Sequence, residues 1–65
     1  MSIIKKWRTK RAITQTEFGQ MIGVSCETVN RWENQKCCPT FKNLKKIAGI
    51  TGIAAAHLME EFEYV

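Results

Sequence analysis

The sequence predicts an all-α, compact five-helix fold, and three observations predict it. Apolar residues recur at helical spacing in five successive segments. Residues that open helices (Ser2, Thr14, Ser25) and glycines that close them (Gly23, Gly52) bracket those segments. Pro39 is the only proline, and no repeat, linker or low-complexity tract interrupts the pattern, so the connections are short.

The first helix is expected from Ser2, its N-cap, to Arg11, with Ile3, Ile4 and Trp7 turned inward. The second begins at Thr14, whose hydroxyl caps it while Glu17 completes a Thr-x-x-Glu capping box. Phe18, Met21 and Ile22 form its expected buried stripe, and Gly23 ends it. Gly19 lies on the same side. Glycine inside a helix costs ~1 kcal/mol relative to alanine, so its presence signals a steric requirement where another helix approaches. The third helix follows Ser25, with Val29 and Trp32 inward and Cys26, Glu27, Thr28, Arg31 and Asn34 outward. After a short loop to Pro39, a fourth helix starts near Thr40, with Phe41, Leu44, Ile47 and Ala48 inward and Lys42, Lys45 and Lys46 outward, and ends at Gly52. The fifth, from Ala54 to Phe62, offers Leu58, Met59 and Phe62 to the core.

With 65 residues the chain is expected to form one domain, residues 1–65, near the lower limit at which a hydrophobic core alone sustains a fold. Cys26, Cys37 and Cys38 are an odd set without framework spacing, which argues against a disulfide scaffold and for a reducing, cytoplasmic setting. Neither a signal-peptide pattern nor a run of ~20 apolar residues is present, so no membrane association is expected. The net charge is +4, and its distribution is uneven. Lys5, Lys6, Arg8, Lys10 and Arg11 precede the first acid, while Glu60, Glu61 and Glu63 cluster at the other end. Such a separation suits a surface that faces a polyanion, although an ordinary solvated helix face carries similar charge.

Catalysis is disfavoured. The chain has no aspartate, one histidine and no glycine-rich phosphate loop, and little volume for a pocket beside its core. A metal or redox site built from Cys37, Cys38 and His57 is the main chemical rival, but zinc sites usually space paired cysteines by two to four residues. No metal, cofactor or small-molecule ligand is therefore expected.

Gln15 to Trp32 combines two short amphipathic helices, the three-residue connection Gly23-Val24-Ser25 and a small residue at Gly19. This is the pattern of a helix-turn-helix. Gly23 tolerates the tight turn, Val24 plugs the junction, and Gly19 lets the helices cross closely. The segments Ile13-Thr14-Gln15-Thr16-Glu17-Phe18-Gly19, Ile22-Gly23-Val24-Ser25 and Thr28-Val29-Asn30-Arg31-Trp32-Glu33-Asn34, followed by Pro39 and by Gly52-Ile53 before Leu58, resemble the lambda-repressor-like domains. That family includes phage repressors, Cro proteins and XRE-type regulators, and the resemblance covers nearly the whole chain.

The resemblance implies that Gln15 grips a phosphate and braces the third helix, and that Arg8 pairs with Glu33. Carried over by position, it makes Cys26, Glu27, Thr28 and Arg31 the base-reading candidates. Arg31 suits guanine O6 and N7, Glu27 suits cytosine N4, Thr28 suits a phosphate or a thymine methyl, and Cys26 offers weak apolar contact. Arg31 has an alternative partner in Glu27, four residues earlier on the same helix. Phosphate contacts are expected from Thr14, Gln15, Ser25, Asn34, Lys36 and Thr40, with the amides of Thr40 and Phe41. Three sites depart from the family pattern: Gln35 stands where a glycine commonly follows the asparagine, Cys37-Cys38 replaces a more polar or basic stretch, and Thr51 stands where a leucine is common.

The expected partner is a double-stranded DNA operator, bound in the bacterial nucleoid by a Cro-like phage repressor that acts by occupying its site. Such domains commonly bind pseudo-palindromes as homodimers, and Ala56, Phe62, Tyr64 and Val65 are the candidate interface. The competing expectation is a protein-binding module, such as an antitoxin, built on the same fold.

Overall fold

The computed structural model describes residues 2–62. Among them are five helices and no strand: α1 (Ile3–Lys10), α2 (Gln15–Ile22), α3 (Cys26–Glu33), α4 (Phe41–Thr51) and α5 (Ala55–Phe62). Four helices begin alike. Ser2, Thr14, Ser25 and Thr40 each adopt an extended backbone, and each side-chain oxygen accepts a hydrogen bond from the amide three residues on. Each such cap satisfies a backbone donor that has no partner within the helix, and is worth ~1 kcal/mol. At Thr14 the box is complete, because its own amide donates to Glu17 Oε1 at 2.9 Å. The bonds from the Thr14 backbone and side chain hold the Glu17 carboxyl below its ordinary pKa. Their contribution is thus fully present above the ordinary carboxylate range and fades as pH falls through the lowered value.

The helix ends divide into two chemical kinds. Gly23 (φ 96°) and Gly52 (φ 76°) close α2 and α4 in the left-handed region, where glycine is unstrained. α1 and α3 close the same way on residues that are not glycine, Ala12 (φ 54°) and Gln35 (φ 61°). Both ends carry the paired bonds of a Schellman motif. Ile13 and Ala12 amides donate to the Arg8 and Thr9 carbonyls, and Lys36 and Gln35 amides donate to those of Arg31 and Trp32. These bonds hold two backbones where a Cβ is disfavoured.

The core is drawn from every helix: Ile4, Phe18, Ile22, Val29, Trp32, Leu44, Ile47, Leu58 and Phe62. Trp7 packs edge-on against Phe18 with ring centroids 5.9 Å apart. The last helix is tied to the first by a hydrogen bond from the Ile3 amide to Glu61 Oε1 at 2.6 Å.

Two expected core residues lie outside. Met21 is 44% exposed, because on a helical wheel it stands about 60° beyond Phe18, on the side away from Ile22 and Gly19. Phe41 is 56% exposed: it is the first residue of α4, and its ring is faced by the Lys45 ammonium at 4.9 Å in place of a neighbouring helix. Gly19 meets its expected requirement, since a Cβ there would sit 2.5 Å from the Val24 carbonyl oxygen.

Two substitutions test these constraints. Gly19→Ala forces backbone apart at the α2–α3 crossing and lowers stability by ~1–3 kcal/mol in chemical denaturation. Gln35→Gly relieves left-handed strain of ~1–2 kcal/mol against a glycine entropy cost of ~0.5–1 kcal/mol. It should raise the melting temperature by a few degrees, ~4–8 °C per kcal/mol gained. A lower melting temperature would show that the Gln35 side chain makes a contribution larger than the strain.

Candidate nucleic-acid interface

The turn between α2 and α3 is fixed by one oxygen. The Gly19 carbonyl accepts from the amides of both Gly23 and Val24, at 2.7 and 2.8 Å, while Val24 packs partly buried against the core. Lys46 Nζ, from α4, reaches the Ile22 carbonyl at 3.4 Å. This sets α3 across α2 with Val29, Trp32 and Glu33 buried.

Glu33 is the centre of a polar anchor. Its carboxylate, with its side chain 3% exposed, accepts two bonds from Arg8 (Nε at 2.8 Å, Nη2 at 3.0 Å) and one from Gln15 Nε2 at 3.1 Å. Arg8 also donates to the Ile13 carbonyl at 2.9 Å, so α1, the α1–α2 connection, α2 and α3 converge on one charge pair. The Glu33 bond holds the Arg8 guanidinium proton more tightly than usual, so Arg8 keeps its charge. Arg8 thus bonds Glu33 from α1, and Gln15 reaches the same carboxylate from α2.

The opposite face of α3 is open. Cys26, Glu27, Asn30 and Arg31 are exposed, and Thr28 is half-buried at the edge with its hydroxyl 3.0 Å from that of Ser25. Of the four base-reading candidates, three thus share one surface and Thr28 borders it. Asn30 is not among the residues that sequence reasoning nominates, although its spacing of three from Glu27 and four from Cys26 puts it on that face. Arg31 Nη2 bonds Glu27 Oε1 at 2.7 Å, the alternative partner noted above.

Two of the phosphate candidates border this face at Asn30. Gln15 and Asn34 meet Ser2, Lys5, Asn30 and Glu33 around a polar cleft of about 390 Å³, so Lys5 joins them as a cation that the motif does not single out. Asn34 spends its amide on the Asn30 carbonyl at 2.9 Å and Asn30 Oδ1 at 3.2 Å. Thr14, Ser25 and Thr40 are exposed and use their oxygens as cap acceptors, which leaves the hydroxyl protons of Thr14 and Thr40 to donate, while the Ser25 hydroxyl also shares a hydrogen bond with that of Thr28. Lys36 is exposed in the α3–α4 connection beside exposed Cys37 and Cys38, while Pro39 is buried. Among the described residues no three His, Cys, Asp or Glu side chains are grouped as a metal site.

Of the dimer candidates, Ala56 is exposed on α5, whereas Phe62 is 9% exposed and belongs to the protein's own core. Little of Phe62 remains for a partner. Tyr64 and Val65 lie outside the described residues. No helix among the described residues is long and apolar enough to cross a membrane.

The anchor makes a test of its own. Glu33→Ala or Arg8→Ala leaves a buried unpaired charge and should cost ~3–5 kcal/mol, whereas the double change Arg8→Met with Glu33→Leu should recover most of the loss. Denaturant titration reads both. A double variant as unstable as the singles would mean that the pair contributes more than apolar packing replaces.

A family model described as helix-turn-helix matches residues 4–58. No curated protein and no solved structure matches the chain. The matched span runs from the core of α1 to the core of α5 and contains the α2–turn–α3 unit and its anchor, and the chain belongs to this helix-turn-helix family, the lambda-repressor and Cro type of DNA-binding regulator.

Proposed function

We propose that the chain is a sequence-specific, Cro-like repressor that occupies two-fold operators in double-stranded DNA as a homodimer. One observation carries the proposal: an exposed polar face of Cys26, Glu27, Asn30 and Arg31 on a helix whose other side is pinned by the Arg8–Glu33–Gln15 anchor. A surface that serves only solubility needs no such fixed orientation. Base reading does, since each bidentate contact discriminates only when donor and acceptor meet in register.

In this arrangement the N-terminal half of α3 enters the major groove. Arg31 addresses guanine, Glu27 addresses cytosine, Thr28 touches a thymine methyl or a phosphate, and Cys26 makes apolar contact. Thr14, Gln15, Ser25, Asn34, Lys36 and Thr40 hold the backbone on both sides, and the cleft beside Gln15 brings Lys5 to the same strand. Most of these contacts are neutral, so the salt dependence comes mainly from Lys5 and Lys36, each neutralised phosphate making the slope of log K against log salt more negative by ~0.9. A second copy, joined through Ala56 and the tail residues Tyr64 and Val65, places an identical face one helical turn along the duplex. The protein then represses by exclusion from the site.

Selection of bound sequences from a random DNA pool, at low and moderate salt, tests this. The expected result is a two-fold motif whose half-site loses preference at one base pair in Arg31→Ala, by ~1–3 kcal/mol, with affinity falling steeply as salt rises. Absence of any enriched sequence would overturn the proposal and favour a protein partner for the same face.

A further inference from the structure

The acidic residue on the α3 face is the feature that DNA binding alone leaves unexplained. A carboxylate facing a phosphate-rich duplex opposes association. Its bond to Arg31 does not account for it through stability, because the two side chains are 71% and 55% exposed. An exposed pair four residues apart contributes only ~0.3–0.5 kcal/mol. Among the described residues Glu27 forms no other side-chain bond, and Arg31 forms only this one. One carboxylate oxygen and most of the guanidinium edge therefore stay open to a ligand.

We propose that Glu27 and Arg31 act as one reading unit for a single G·C base pair, Arg31 on the guanine and Glu27 on its paired cytosine. This rests on the DNA-binding reading above and sharpens it. In a G·C pair the guanine O6 and the cytosine N4 are hydrogen-bonded to each other, so an acceptor and a donor lie ~3 Å apart on the major-groove edge. The protein presents the complementary couple, a guanidinium nitrogen and a carboxylate oxygen 2.7 Å apart. Arg31 donates to O6 and N7, and Glu27 accepts from N4. A thymine-adenine pair offers the same neighbours in O4 and N6, but a methyl group replaces the second acceptor N7, so Arg31 makes one bond there instead of two. The unit thus prefers G·C, and in one orientation, because reversal puts the carboxylate against O6.

Glu27 is also the positioning residue for Arg31. It holds the guanidinium on the helix surface before DNA arrives, so less side-chain freedom is lost on binding. On base pairs that place no amino group opposite it, the carboxylate faces phosphates and acceptors. It lowers affinity for the wrong sequence as well as raising affinity for the right one.

The test is a four-member cycle: wild type, Glu27→Gln, Arg31→Ala and the double variant. Each is taken through random-pool selection and equilibrium competition between the selected site and the same site changed at one base pair. The wild type should favour G·C at one position by about tenfold or more, and both single variants should relax that same position. The double variant should lose no more preference than Arg31→Ala alone. Glu27→Gln should in addition bind random DNA about two- to tenfold more tightly at low salt, because a negative charge leaves the DNA-facing surface. Thermal melts should agree within a few degrees across the set, because the pair is exposed. Relaxation at two different positions, additive losses, or an unchanged preference in Glu27→Gln would overturn the joint reading while leaving a wild-type motif intact. A wild type with no motif at all would overturn the DNA-binding reading beneath it.

Discussion

Glu33 sits at the end of α3 with its charge removed from water, a position that a helix this short cannot sustain without partners, and the placement of the other helices follows from supplying them. Arg8 and Gln15 do so from α1 and α2. The three helices are therefore not free to slide along their apolar stripes, since a shift of one turn would strand the charge. Apolar contact is tolerant of such shifts, and hydrogen-bonded geometry is not. Removing one partner of a buried pair costs ~3–5 kcal/mol. A stability of ~0.05–0.15 kcal/mol per residue amounts to ~3–10 kcal/mol for a chain of this length. The anchor thus decides whether the domain is folded, and by the same bonds decides how the outer face of α3 is presented.

Around the anchor the remaining stability comes from many small local terms. Four caps of ~1 kcal/mol each offset the poor ratio of core to surface in a 65-residue chain. The two left-handed closures at Ala12 and Gln35 work in the opposite direction. They persist because the paired Schellman bonds hold the turns that follow α1 and α3.

Much of this is legible in the sequence because it is encoded locally. Ser2, Thr14 and Ser25 announce helix starts within a residue, the Thr14–Glu17 box reads directly, and Gly19 signals a close crossing that the 2.5 Å approach to Val24 explains. The family resemblance adds the Arg8–Glu33 pair, which no periodicity reveals because its partners are 25 residues apart. Met21 and Phe41 defeat sequence reasoning for one reason: hydrophobicity marks a residue as able to be buried, while the wheel angle and the reach of neighbouring helices decide whether it is. Asn30 escapes it for the converse reason, being polar and unremarkable in type but central in angle. The left-handed φ at Gln35 is foreshadowed only by the glycine that the family prefers there.

Two ion pairs of the same chemistry stand on opposite sides of α3, and burial assigns them different work. Arg8–Glu33 is shielded from solvent, so its attraction is strong, its rupture is costly and its geometry is fixed. The outer pair, Glu27–Arg31, is bathed in water, where it adds little to stability. It can be opened, redirected or completed by a ligand at almost no cost to the fold. A charge pair that contributes little energy and yet occupies the centre of a rigidly presented surface is suited to recognition, because only there does the loss of water on binding turn a weak interaction into a selective one. On the reading proposed for α3, the inner pair sets orientation where the dielectric is low, and the outer pair exercises choice where the ligand itself removes the solvent.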